Sequence, residues 1–489
     1  MKIVKNYLYN ILGLLTGSLF PLIIFPYISR ILAPQYLGYV TFTQSIANYF
    51  IVLATLGVPI YGIRELAIYS NTSKIENEKF SEKAFELFFL TLISSTFSTL
   101  LYLILVFKIE KMFQLKNLFF ILAFQIFFSF INFDYVFIVL EKHKRRSIRS
   151  IFLRLISGML ILIFVKKPQD YSIYLVILVF SEILLRIFDV YSLRKLYFRK
   201  LKLKNLELKR HLKPLLVIFI YIFSVGVYIN IDTTMLGFLK SEKEVGFYTS
   251  GSKLIRMLIP LISVLGTVMA PDIVKNINKN QKKELYQKID NFIDFSMIIG
   301  LPLAIYLMYF SKEIIVLLSG NNFLEGNKVL IIMGVMVIFQ PIATFFGGQL
   351  LLPNKKENII LKIALLGMVL NIILNSILIP KYSISGAALA TLLTEIIIFF
   401  FRNYEVKKIY FDYNFFIKRR VYYLIEPGIL FFLLIILTNK FYLTQFYIII
   451  LGGIYFIIHI FFLYLYKDIN IRKLFYIFLN IIKRNKAMK

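Results

Sequence analysis

The sequence predicts an all-α polytopic membrane protein of about 14 transmembrane helices, arranged as two six-helix lobes around a central cavity with two further C-terminal helices. Three observations predict it. The 489 residues are 59% hydrophobic and only 17% charged, with a mean hydropathy of +0.75, too apolar for an average soluble domain. The apolar residues gather in repeated stretches near the roughly 20 residues that one bilayer pass requires. The spacers between them alternate in basic charge along the chain.

The apolar stretches run from about residue 8 to 30, 38 to 63, 84 to 107, 117 to 140, 149 to 165, 171 to 192, 214 to 239, 247 to 271, 291 to 311, 328 to 350, 358 to 379, 384 to 401, 421 to 438 and 444 to 466. Pro21, Pro26, Pro59, Pro260, Pro302 and Pro341 fall inside them. Bundles tolerate such prolines where neighbouring helices satisfy the freed backbone groups, and kinked helices suit a cavity. The first stretch is long, proline-interrupted and lacks a small-residue cleavage pattern before Arg30, so it is expected to stay in the mature chain. With no Trp and 32 Tyr, interfacial anchoring falls to tyrosine and flanking lysine.

Placing both termini in the cytoplasm puts about 41 of the 57 lysines and arginines on the inside, which predicts an N-in, C-in topology with an even number of spans. The longest basic spacer, from Arg194 to Lys213, reads first as a topology signal and second as a linker touching anionic head groups. A weak self-similarity at an offset of about 210 residues suggests two parallel six-span repeats. Leu37-Gly38-Tyr39 corresponds to Val245-Gly246-Phe247-Tyr248, and Glu141-Lys142-His143-Lys144 to Pro353-Asn354-Lys355-Lys356. The expected organisation is therefore residues 1–210 as an N-lobe of six spans, 211–410 as a C-lobe of six, and 411–489 as two more spans with a basic cytoplasmic tail.

Several function classes are excluded. Without cysteine there is neither a disulfide framework nor a thiolate metal cluster, and His143, His211 and His459 are scattered, so no metal site or cofactor is expected. The net charge of +30 is spread over eight cytoplasmic segments while the aromatics lie in the spans, which argues against nucleic acid as a partner.

Ionisable side chains inside spans mark candidate pathways. The basic ones are Arg154, Arg186, Lys253 and Arg256, with Arg30 and Arg64 at span ends. Lys253 and Arg256 lie on one helical face continued by Gly246 and Ser250, and neither has an acid within a helical turn in sequence, which suggests an anionic ligand. Arg186 is expected to pair locally with Glu182 or Asp189, Arg154 to snorkel, and Arg64, beside Glu65, to be either a topology anchor or a ligand contact. The acids in spans are Asp134, Glu182, Asp189, Asp232, Asp294 and Glu395. Thr41, Gln44, Asn48 and Thr55 form one polar stripe, and Tyr221, Ser224, Tyr228 and Asp232 another, suited either to sugar hydroxyls or to interhelical bonding. Asp232 is left open between counter-ion and coupling-ion site.

The run from Pro26 through Arg30 and Pro34 to Gly38, followed by Phe42-Thr43-Gln44-Ser45, resembles the first-helix signature of Wzx-type polysaccharide flippases. Leu56-Gly57 with Gly62-Ile63-Arg64-Glu65, the run from Asp232 to Gly237, Glu244-Val245-Gly246-Phe247-Tyr248 with Lys253, and the run from Ser385 to Thr391 with Glu395 extend the likeness over nearly the whole chain. Those flippases belong to the multidrug, oligosaccharidyl-lipid and polysaccharide (MOP) exporter superfamily, whose MATE-like fold has two six-helix lobes, often with two extra helices. The resemblance implies a transporter and not an enzyme, moving an undecaprenyl-diphosphate-linked oligosaccharide across the bacterial cytoplasmic membrane by alternating access of a cationic cavity. It implies diphosphate contacts at Arg30, Arg64 and Arg256 with Lys253 beside it, and membrane lipids, a polymerase and glycosyltransferases as partners. The stripe residues Gln44, Asn48, Tyr228 and Asp232 complete the expected substrate-binding set. A cation-coupled multidrug antiporter of the same superfamily is the nearest alternative, and a membrane polymerase or glycosyltransferase the next. The coupling ion is left open.

Overall fold

The computed structural model describes residues 2–69, 78–197, 206–410, 415, 418–438 and 445–465. Among them every regular element is helical and no strand occurs. That follows from the apolar stretches, because in hydrocarbon each backbone N–H and C=O must find its partner within its own helix. The chain forms two compact units, Met1–Ser250 with Ala364–Ala390, and Gly251–Ile363 with Thr391–Lys489.

In the first unit α1 (Lys2–Thr55), α2 (Val58–Ala67), α3 (Glu78–Lys108), α4 (Glu110–Gln114), α5 (Lys116–Phe127), α6 (Asp134–Val139), α7 (His143–Phe164), α8 (Tyr171–Tyr197) and α9 (Leu208–Leu239) lead into the start of α10 (Glu242–Asn278). The second unit holds the rest of α10, then α11 (Lys282–Tyr309), α12 (Ser311–Ser319), α13 (Asn327–Gly334), α14 (Met336–Phe345), α15 (Glu357–Ile409), α16 (Lys418–Thr438) and α17 (Gln445–Leu465). The middle of α15 belongs to the first unit.

Among the described residues eight helices are long and apolar enough to cross a membrane, nine if a bent pair counts as one span, so the protein is multi-pass. Helices α1 and α15 are each two helices joined at a kink, and each kink falls between two of the expected apolar stretches. The non-helical residue inside α1 is Ala33 (φ 59°, ψ 167°), immediately before Pro34. A proline ring disfavours helical backbone in the residue before it, and here that produces a kink without a loop. In α15 the break is Ser383 (φ 49°, ψ −125°), three residues after Pro380, and its hydroxyl donates to Glu244 Oε2 at 2.8 Å. Helices α8, α16 and α17 stand outside the eight. The bent pair, Asn321–Gly334 and Met336–Leu351, meets at 48° within the stretch predicted as one span. Residues 70–77, the middle of the basic spacer at 198–205 and the C-terminal tail from 466 lie outside the described residues.

In the first unit, Leu66, Leu87, Val136, Phe137 and Leu215 are fully buried together and join α2, α3, α6 and α9. The backbones of α1 and α10 touch. A Cβ on Gly246 would collide with the carbonyl of Pro34, and one on Gly38 with the carbonyl of Glu242, so only glycine fits at either position. Thr249 continues the seam by donating to Thr41 Oγ1 at 3.2 Å. The two segments paired above as repeat equivalents are therefore in direct contact. In the second unit the stacked rings of Phe292 and Phe345, 4.0 Å apart, tie α11 to α14.

Candidate functional site

The first unit contains a polar seam. Ser45 Oγ and Tyr49 Oη each lie 2.9 Å from Thr234 Oγ1, and Asn48 Nδ2 donates to Asn230 Oδ1 at 3.2 Å, so the polar face of α1 meets α9. Behind it Asp232 is fully buried. Tyr248 donates to its Oδ2 at 2.6 Å and Asn375 Nδ2 to its Oδ1 at 2.8 Å. Asn375 also donates to the carbonyl of Asn371 at 2.9 Å and to its Oδ1 at 3.1 Å. A carboxyl at membrane depth is costly unless both oxygens find donors, and α9, α10 and α15 are joined by supplying them.

The predicted site residues fall into three groups. Asn48 and Asp232 belong to the seam, Asn48 exposed and Asp232 enclosed, so a substrate contact at Asp232 requires its bonds to Tyr248 or Asn375 to open. Gln44 and Tyr228 are half-buried on α1 and α9. Arg30 is exposed just before the kink of α1, and Arg64 is exposed in the last turn of α2. Lys253 and Arg256 are half-buried on one face of α10 in the second unit.

Other charges are engaged within their own units. Arg186 does not pair with Asp189 as expected. It is buried and donates to the carbonyl of Gln125 at 3.1 Å and to Ser129 Oγ at 3.2 Å, fastening α8 to the end of α5, while Asp189 takes Arg149. Helix spacing places Asp189 within reach of Arg186, but Arg149 of α7 claims it. Asp134, read as a span residue, opens α6 and binds Arg146 Nη2 at 2.6 Å. Glu395 accepts from Gln340 Nε2 at 2.7 Å, and Arg154 is half-buried on α7. In the second unit Asp294 is fully buried and accepts from Arg420 Nε at 2.9 Å, while Arg420 Nη2 reaches Asp290 at 2.5 Å.

Sequence reasoning missed a second buried cluster in the first unit. His211 Nε2 lies 2.7 Å from Glu86 Oε2 and its Nδ1 lies 2.8 Å from Tyr61 Oη, with His211 and Glu86 fully buried. Lys83 Nζ donates to Glu86 Oε1 at 3.0 Å, and Arg210 Nη2 to Glu65 Oε1 at 2.8 Å. Glu82, Lys83 and Glu86 at the start of an apolar stretch, and Asn371 with Asn375 one turn apart inside another, were the available signals.

Helices of membrane-spanning length that enclose a hydrogen-bonded polar seam define a multi-pass membrane protein of transporter type. The chain belongs to the polysaccharide biosynthesis protein family, which matches residues 3–276, and the MatE family matches residues 217–377. Over 408 residues it is 23% identical to a protein named as an O-antigen transporter in Shigella dysenteriae, covering 82% of this chain and 100% of the other. A protein of Haloferax volcanii named as a low-salt glycan biosynthesis flippase is 28% identical over 173 residues. That match spans 35% of this chain and only 36% of its relative. The solved structure of the lipid II flippase MurJ in an inward closed conformation is similar with a TM-score of 0.74 and 18% identity, covering 95% of this chain and 99% of that one. At that identity the likeness is one of fold. The family expected from Pro26 to Gly38 and the later motifs is the family found.

Proposed function

We propose that this protein is a flippase for a polyprenyl-diphosphate-linked oligosaccharide, serving surface polysaccharide synthesis in a bacterial cytoplasmic membrane with both termini inside. The observation that carries the reading is the match to an O-antigen transporter along that protein's whole length, within a polysaccharide biosynthesis family. The physical chemistry agrees. A diphosphate is a strong acceptor that arginine binds through charge-assisted, often bidentate bonds, with lysine adding a point charge. Arg30, Arg64, Lys253 and Arg256 are the proposed diphosphate contacts, and Gln44, Asn48 and Tyr228 the sugar contacts. Asp232 joins this set through its bonds to Tyr248 and Asn375, and alternating access moves the head group while the polyprenyl chain stays in lipid.

The test is complementation. In a strain lacking its own repeat-unit flippase, this chain is expected to restore export of lipid-linked glycan, and the double variant Lys253→Ala with Arg256→Ala is expected to lose it while still inserting. Unimpaired export by the double variant removes the cationic part of the mechanism. The MatE match supports a second reading, a multidrug antiporter. Lowered drug accumulation in an efflux-deficient host, with no glycan export, would establish that reading in place of the first.

A further inference from the structure

An open groove of about 570 Å3 in the first unit lies along the start of α7 and reaches α8. Its lining surface is apolar, contributed by Ile148, Phe152 and Phe188 and by the stems of Lys142, Lys144 and Arg145, of which Lys144 and Arg145 are exposed. Those three apolar side chains are 50%, 60% and 48% exposed, far more than a core would leave them. The fourth cation, Arg149, is engaged by Asp189 and lies 3.4 Å from Asp134. Among the described residues no carboxylate lies within ion-pair distance of Lys142, Lys144 or Arg145. Burial, and after it the neighbouring Arg145 guanidinium, pushes the Lys142 ammonium below its ordinary value.

The apolar lining continues beyond the groove. Ile148, Phe152, Leu155, Met159 and Ile163 recur at helical spacing and are all at least half exposed, forming one stripe down α7. At 1.5 Å per residue the stripe is about 22 Å long, more than the roughly 15 Å of one leaflet. Basic residues at the start of α7, beside an apolar groove that runs into a hydrocarbon track, complement a molecule with an anionic head and a long apolar tail.

We propose that this groove binds an anionic phospholipid, its phosphate among Lys142, Lys144 and Arg145 and one acyl chain along Ile148, Phe152 and Phe188. The site needs only the bilayer around it and stands whichever cargo the protein carries.

The chain contains no tryptophan, so Phe152→Trp installs a single emitter in the groove of the full-length protein. In phosphatidylcholine vesicles, brominated phosphatidylglycerol is expected to quench it more strongly than brominated phosphatidylcholine at equal mole fraction. A second emitter, Phe97→Trp on the exposed face of α3, is expected to show no such preference. Replacing Lys142, Lys144 and Arg145 by glutamine should lower the preference by about fivefold for each cation removed, since a basic residue near an anionic surface contributes about 1 kcal/mol. Equal quenching by the two lipids at position 152, or a preference that survives the triple substitution, overturns the proposal. Reversal of quenching by soluble glycerol phosphate overturns it in favour of a soluble phosphate. If Phe152→Trp does not reconstitute, Phe188→Trp reads the same groove.

Discussion

Asp232 and Asp294 are both fully buried in membrane-spanning helices, one in each unit, and they are held in opposite ways. Asp294 faces the guanidinium of Arg420, which also reaches Asp290. Asp232 receives a phenol from Tyr248 and an amide from Asn375. Arginine keeps its charge at any pH a protein survives, so an ion pair clamps α16 onto α11 in the second unit. In the first unit a phenol and an amide bind the carboxyl where α9, α10 and α15 meet.

The sharpest way to break this contrast is Arg420→Ala. It leaves Asp294 buried without its cation, and stability is expected to fall by about 3–5 kcal/mol. Denaturant titration in detergent reads the loss, and adding Asp294→Asn should recover part of it. Gly246→Ala comes next. The new methyl meets the carbonyl of Pro34, and overpacking of that kind costs about 1–3 kcal/mol. Asp232→Asn preserves an acceptor for Tyr248 and is expected to cost about 1 kcal/mol. A loss at Asp232 as large as that at Arg420 would mean that its bonds to Tyr248 and Asn375 hold the first unit as strongly as the ion pair holds the second, and the distinction would collapse.

The sequence carries the fold class because apolar stretches of bilayer length leave helices as the answer, and it carries the family through the order of its motifs. It is less informative where one residue decides a geometry. The corner at Ala33 depends on the proline after it, and the one at Ser383 on a hydrogen bond to Glu244 that no local pattern reveals. Arg186 has two acids at helical spacing and keeps Glu182 as a charged neighbour, yet its hydrogen-bond partners come from 57 and 61 residues away. His211 looks isolated in sequence, and only the meeting of α2, α3 and α9 gives it Tyr61 and Glu86. Asp232 was legible as a buried polar group, whereas Asn371 and Asn375 passed as ordinary members of an apolar helix.

A third carboxylate extends the comparison to the aqueous edge and gives the smallest expected effect. Asp170 is partly exposed in the turn between α7 and α8, where the backbone amides of Lys166 and Lys167 both donate to its Oδ2 at 2.8 Å. Those hydrogen bonds, that of Lys166 first, hold its carboxyl below the ordinary value. A depressed value means that the turn gains stability above the unfolded pKa near 3.8 and loses it as pH falls through the lower folded value. Amide exchange at Lys166 and Lys167 should therefore quicken, relative to its intrinsic rate, as pH falls below about 4. In Asp170→Asn that acid-dependent step is expected to vanish, with the global unfolding midpoint unchanged at pH 7. A shift in global stability comparable to that of Asp232→Asn would show that this exposed turn is coupled to the buried seam of its unit, and the ranking of the carboxylates by burial would fail.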